Sequence, residues 1–116
     1  MLNQIFEHCP LMVVAHRAGI IVYANHAAET RMLKERDARW PVGHALADFL
    51  HSDDLPESQR RVAAMYHGRE TSAFVPRQRL VTENGAMFYC EATVFVARLE
   101  EGLTVISMLR ELPSPD

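Results

Sequence analysis

Cysteine is scarce in these 116 residues, with Cys9 and Cys90 the only two. Neither belongs to a Cys-x-x-Cys pair or to a Cys/His pattern with zinc spacing. A secreted domain of this size often carries more, so a reducing cytoplasm is the expected compartment, with two free thiols buried or half-buried. Long hydrophobic runs are also missing: Leu11–Ala15 and Gly19–Ala24 fall far short of the ~20 residues that cross a bilayer. No basic leader precedes a long apolar stretch, so no signal peptide is expected. Basic charge is in short supply too. Twelve Lys plus Arg against fifteen Asp plus Glu leaves a net charge of −3, without the basic excess or Lys/Arg run of a nucleic-acid binder. No Gly-rich phosphate loop is present, and none of the serines sits in a Gly-x-Ser-x-Gly turn.

What remains is the balance of an ordinary soluble domain, 48% hydrophobic and 23% charged. A single domain of this length removes roughly two-thirds of its unfolded surface from water, enough for a core without disulfides or a metal. Leu2, Ile5, Phe6 and Cys9 have the spacing of one helical face, and Pro10 ends that turn, so residues 1–10 read as a capping helix. LMVVAH (11–16) and IIVYA (20–24) read as strands joined through Arg17-Ala18-Gly19, with Gly19 free to take the positive φ of a hairpin turn. Asn25 is a good N-cap for a helix over HAAETRMLKE (26–35). A loop is expected over Arg36–Val42, then a short helical piece after Gly43 with Leu46, Phe49 and Leu50 on one side. HSDDLPES (51–58) reads as a helix start, with Ser52, Asp53 and Asp54 all capable N-caps and Asp54 and Glu57 at capping-box spacing; the helix runs on through Ser58–His67 with Val62, Met65 and Tyr66 inward. Residues 71–81, 86–99 and 103–112 read as three strands rich in Val, Thr, Ile, Phe and Tyr. Turns separate them at 83–85 and 100–102, and Pro76 marks the first of the three as an edge or bulged strand. The expected architecture is α+β: a five-stranded antiparallel sheet with short helices on one face and an N-terminal capping helix.

In this order the residues resemble a PAS domain, the small sensory fold of signalling proteins. AGIIVYANHAAE is similar to that family's Gly–strand–Asn–helix segment, with Gly19 and Asn25 at the matching places. VGHALADFLHSDD resembles its Gly, short helix and His-Pro-Asp-Asp stretch, with Gly43 and Asp54 in register and Ser52 in place of the Pro. ENGAMFYCEATVFVARLEEGLTVISMLREL resembles its final strands. The likeness spans about residues 5–112 and implies a sensory unit over 11–112, followed by a tail or linker at 113–116. Where the family often ends in Asp-x-Thr, this chain has Glu111-Leu112-Pro113, and Pro113 blocks smooth continuation into a helix.

The resemblance implies a pocket between sheet and helices, bounded by Phe49, Met65, Tyr66, Phe74, Phe88 and Cys90. The simpler reading is that these large side chains fill the core. Arg77, Gln78 and Arg79 on the third strand are the polar groups that would reach such a pocket, Arg79 being the one assigned to it; a solvated face is the commoner place for such residues. Flavin–cysteine and cinnamoyl photochemistry are excluded, because no cysteine lies between Cys9 and Cys90. A haem would require an axial histidine, with His67 the best placed of six, and a small enzyme would require a buried acid or base, Asp48 or Glu91. His51, Asp53 and Asp54 are explained by capping and the helix dipole without a metal. The outer sheet face is apolar at Phe95 and its neighbours. Homodimerisation through that face and the N-terminal helix (Leu2, Ile5, Phe6), with Trp40 a further candidate, is expected. The leading expectation is a non-catalytic module that senses a small ligand or dimerises. An output domain (kinase, cyclase or DNA-binding) would lie elsewhere, with no direct contact to nucleic acid or membrane.

Overall fold

The computed structural model describes residues 1–32 and 40–115. Five strands form one antiparallel sheet: β1 (Met12–Arg17), β2 (Ile20–Ala24), β3 (Ser72–Val81), β4 (Met87–Leu99) and β5 (Gly102–Leu112). Their spatial order is β2-β1-β5-β4-β3, which places the first strand beside the last. Helices α1 (Leu2–Phe6), α2 (His26–Arg31) and α3 (Leu55–Tyr66) and two 3-10 turns, Leu46–Phe49 and Ser52–Asp54, complete the α+β architecture. β1 is flanked by strands on both sides and covered on both faces, which is why it is buried from Met12 to His16 and reads as an unbroken apolar run.

The hairpins fall where the turn residues predict. Arg17 pairs with Ile20 across a two-residue loop, Ala18-Gly19, in which both residues have positive φ. That is the requirement of a type I′ turn, met here with an alanine in the conformation glycine takes more cheaply. In β3, Val75 pairs with Ala92 and Gln78 with Cys90. Pro76 and Arg77 therefore oppose the single residue Glu91, a bulge on an edge strand that needs no amide donor from the proline.

Three helical expectations are corrected. α2 ends at Arg31 with Met32 as its C-cap, and residues 33–35 of the expected helix, like 36–39 of the expected loop, lie outside the described residues. α3 begins at Leu55, within the helix start expected over 51–58, with Pro56 in its first turn, where no amide donor is needed. Asp54 occupies the N-cap position of α3 without capping it; its carboxylate turns to Arg79, and no capping box forms. The segment after Gly43 is first an edge and only then a 3-10 turn. Gly43 N and Leu46 N donate to Ile21 O and Gly19 O of the β2 hairpin, each at 2.8 Å, and Ile21 N donates to His44 O at 2.9 Å. At the opposite sheet edge, Leu50 bridges to Leu80 and His51 N donates to Arg79 O at 3.1 Å. One connection thus satisfies both edge strands, β2 and β3, by running across the inner face of the sheet.

The two faces carry separate cores. On the inner face, Val14, Ile21, Phe88, Cys90 and Val105 pack with Ala28, Met32, Phe49 and Met65. On the outer face, Val13, Ala15 and Ile106 are covered by Leu2, Phe6 and Cys9 of the N-terminal segment. Ile5 is 62% exposed, because a helix of barely more than one turn presents the Leu2/Phe6 line and turns Ile5 away from it. Trp40 belongs to the inner side rather than to an association surface. Its ring lies 4.5 Å from Phe49 and 4.7 Å from His44, and its Nε1 donates to Met32 O at 2.8 Å. Asn25 joins the layers. Its Oδ1 accepts from Val13 N and Ala28 N, and its Nδ2 donates to the carbonyls of Phe6, Cys9 and Leu11.

Candidate functional site

A cavity of about 30 Å³ lies between the inner sheet face, α3 and the 46–50 turn. That is room for about one water-sized group. Its apolar wall includes Val14, Ile21, Phe49, Leu50 and Val94, and its polar wall is His16, Ser58, Arg61, Gln78 and Ser107. His16 and Ser107 reach it by strand alternation, since Val14 pairs with Ser107 and His16 with Val105 on the inward side. Ser58, Arg61 and Met65 share one face of α3 at three- and four-residue spacing. The bulge at Pro76-Arg77 sets the phase that turns Gln78 inward.

Two of these polar groups are unusual. His16 is 1% exposed, its Nδ1 has no hydrogen-bond partner, and burial pushes its pKa down to about 4, so it is neutral near pH 7. Arg61 is 6% exposed, with its pKa lowered chiefly by burial. Glu57 and Glu70 are near enough for it to feel their charge, yet both are bound by Arg60, at 2.8 and 3.4 Å. Among the described residues Arg61 has no ion-pair partner.

The cavity shares His16, Leu46, Leu50, Ser58 and Val62 with a wider cleft of about 320 Å³ that opens between α3 and the β1–β2 turn. Leu55, Ala63 and Tyr66 line that cleft. The Tyr66 hydroxyl accepts a hydrogen bond from Ala18 N, which ties the end of α3 to the hairpin turn.

Of the residues assigned to a pocket from the sequence, Phe49 lines the cavity and Tyr66 the cleft. Met65, Phe88 and Cys90 are buried in the inner core without lining the cavity. The Arg31 guanidinium lies 3.9 Å from the centroid of the Phe88 ring, and burial drives the Cys90 thiol up to about 12, out of reactive range. Phe74 is corrected: it is 60% exposed, because it pairs with Thr93 on the outward phase of β3. Arg79 is corrected as well. It points to the outer edge of β3 and grips Asp54, its Nη2 2.8 Å from Oδ1, while its backbone N donates to Oδ2 at 2.8 Å. That pairing holds the Asp54 carboxyl below its ordinary pKa.

The residues of the other readings fall outside the cavity. His67 is exposed at the C-cap of α3, Asp48 is exposed, and Glu91 pairs with Arg110 at 2.7 Å. His51 Nδ1 accepts from Asp53 N at 3.1 Å, and among the described residues no three His, Cys, Asp or Glu come together as a metal site. The sequence alone did not single out His16 and Arg61. The available signals were a histidine on the inward phase of a central strand and an arginine within the apolar stripe of α3.

No protein-family model matches this sequence, and no curated protein resembles it closely enough to match. Solved structures do. The PAS domain of an HTR-like protein from Haloarcula marismortui superposes with a TM-score of 0.77 at 18% identity, covering 96% of this chain and 88% of that one. The PAS domain of nitrogen regulation protein NR(II) from Vibrio parahaemolyticus gives 0.69 at 19% identity, over 97% and 98%. The PAS domain of a LuxR-family transcriptional regulator from Burkholderia thailandensis, in complex with ethanol, gives 0.72 at 16% identity, over 98% and 99%. At these identities the likeness is one of fold, and the fold of this chain is that of a PAS domain.

Proposed function

We propose that the chain is a sensory or regulatory module of a signalling protein, which takes up a small molecule between α3 and the sheet and performs no chemistry of its own. The observation that carries this reading is the inner cavity. Its walls hold a buried, unpaired imidazole nitrogen and, among the described residues, an unpaired guanidinium, and it communicates with an apolar cleft. Buried polar groups normally find partners within the protein, and where they do not a ligand or ordered water is the usual partner. The structural relatives come from regulatory proteins, and one holds ethanol. An output domain elsewhere in the protein, or self-association through the exposed Met1 and Ile5 side of α1, would carry the signal onward.

Thermal denaturation against a panel of small alcohols, carboxylates, amines and sugars tests this role, with light scattering on the same samples. At least one class raises the melting temperature in proportion to the logarithm of its concentration. A panel without any stabilising compound would overturn the ligand-sensing role. A monomer with and without the stabilising compound would overturn the association.

A further inference from the structure

Arg61 is a mostly buried cation on the cavity wall, with no ion-pair partner among the described residues. It is 6% exposed, the nearby carboxylates Glu57 and Glu70 are engaged by Arg60, and it is the only permanently charged side chain on the cavity wall among those residues. No carboxylate among the described residues pairs with this guanidinium, so its planar hydrogen-bonding edge can take an anion. The space beside it, about 30 Å³, admits about one water-sized group, such as one oxygen of a head group. Beyond Leu46, Leu50 and Val62 the space widens into a cleft of about 320 Å³ whose described walls carry no charged side chain and include Leu55, Ala63 and Tyr66.

We propose that the occupant of this site is a small straight-chain carboxylate, its acid group on Arg61 and its aliphatic chain in the cleft. The assignment names the ligand class of the sensory role proposed above and rests on that role. A carboxylate matches a planar guanidinium through two parallel hydrogen bonds. Gln78, Ser58 and Ser107 supply further donors on the same wall. One cation suits a monoanion, whereas a phosphate ester would face a single counter-charge and a sugar would meet the apolar cleft.

Calorimetric titration of the full chain with acetate, butanoate, hexanoate and octanoate, each beside its matching alcohol, tests the assignment. Carboxylates bind more tightly than alcohols of equal length, and affinity rises with chain length as methylenes enter the cleft. Arg61→Met weakens the carboxylates by roughly 10- to 100-fold and leaves the alcohols unchanged. Without ligand, that variant melts close to the parent, because Met keeps the apolar stem of the arginine in place and no ion pair is lost. Arg61→Lys, which keeps the charge without the planar fork, retains the carboxylate preference at reduced affinity. Equal binding of acid and alcohol, or a carboxylate preference that survives Arg61→Met, would overturn the assignment. Binding of alcohols without carboxylates overturns the ligand class while the sensory role stands; if no compound of the wider panel binds, both fall.

Discussion

His16 shows how one side chain on the sheet couples the fold to pH. It ends the inward row Met12, Val14, His16 on β1 and is 1% exposed, and burial alone pushes its pKa from 6.5 to about 4. The folded state therefore holds the imidazole neutral through a range in which the unfolded chain protonates it. Because the folded value lies below the unfolded one, His16 takes nothing from stability above about pH 6.5. As the pH falls toward about 4 the unfolded state gains a proton that the folded state refuses. The loss approaches roughly 3 kcal/mol, since each tenfold difference in proton affinity is worth about 1.4 kcal/mol. Urea denaturation of the parent should show this decline between about pH 6.5 and about pH 4. His16→Gln, polar but without a titrating ring, should flatten it. Asp54 does not obscure the effect. Its pKa is lowered from 3.8 by Arg79, so its stabilisation is present above that value and fades only as pH falls further, through its lowered value. An equal decline in parent and variant would show that another group carries the dependence.

At the scale of elements, Asn25 separates what is legible in the sequence from what is not. Its capping role is local: the Oδ1 to Ala28 N bond of 3.0 Å spans three residues, and an asparagine before a run of helix formers announces it. The same side chain also accepts from Val13 N at 2.9 Å and donates to Phe6 O and Leu11 O at 2.9 Å and to Cys9 O at 3.3 Å. These contacts depend on where α1 docks, which no local pattern encodes. The same divide runs through the rest of the chain. The hairpin at Ala18-Gly19 and the bulge at Pro76 are readable because turn and edge chemistry is written in adjacent residues. The Asp54–Arg79 clamp links residues 25 apart, so the local pattern around Asp54 announces only a cap. In the site, Phe49 stands out as a large apolar residue, whereas the roles of His16 and Arg61 exist only once β1 and α3 face each other. The extra bonds of Asn25 can be tested by a substitution that preserves the cap. Asp caps helices about as well as Asn, and its charge favours a helix N-terminus. Yet Asn25→Asp sets an acceptor against three carbonyl oxygens in a site with no exposure. Denaturation should show a loss of at least about 2 kcal/mol. A neutral or stabilising result would reduce Asn25 to a helix cap.

The whole molecule has two cores on one sheet, and the question is whether they melt as one. The inner core holds Trp40, the only tryptophan, packed on Phe49 and His44. The outer core is smaller and depends on α1, whose five residues are far too few for an autonomous helix. Both cores share the backbone of β1. Val13 and Ala15 face outward while Met12, Val14 and His16 face inward, and Asn25 binds Val13 N on one side and the carbonyls of the α1 segment on the other. Loosening the outer layer therefore removes hydrogen-bond acceptors from the residue that anchors α2 to the inner layer. Phe6→Ala should lower stability by roughly 1–2 kcal/mol, about half the cost of truncating a fully buried phenylalanine, because Phe6 is only half-buried. Trp40 lies on the opposite side of the sheet from this substitution, so its fluorescence reports unfolding at a distance. In a single cooperative unit the fluorescence midpoint and the far-ultraviolet circular dichroism midpoint move together and by the same amount. If the dichroism shifts while the Trp40 transition stays in place, the N-terminal layer unfolds separately, and the sheet does not couple its two faces.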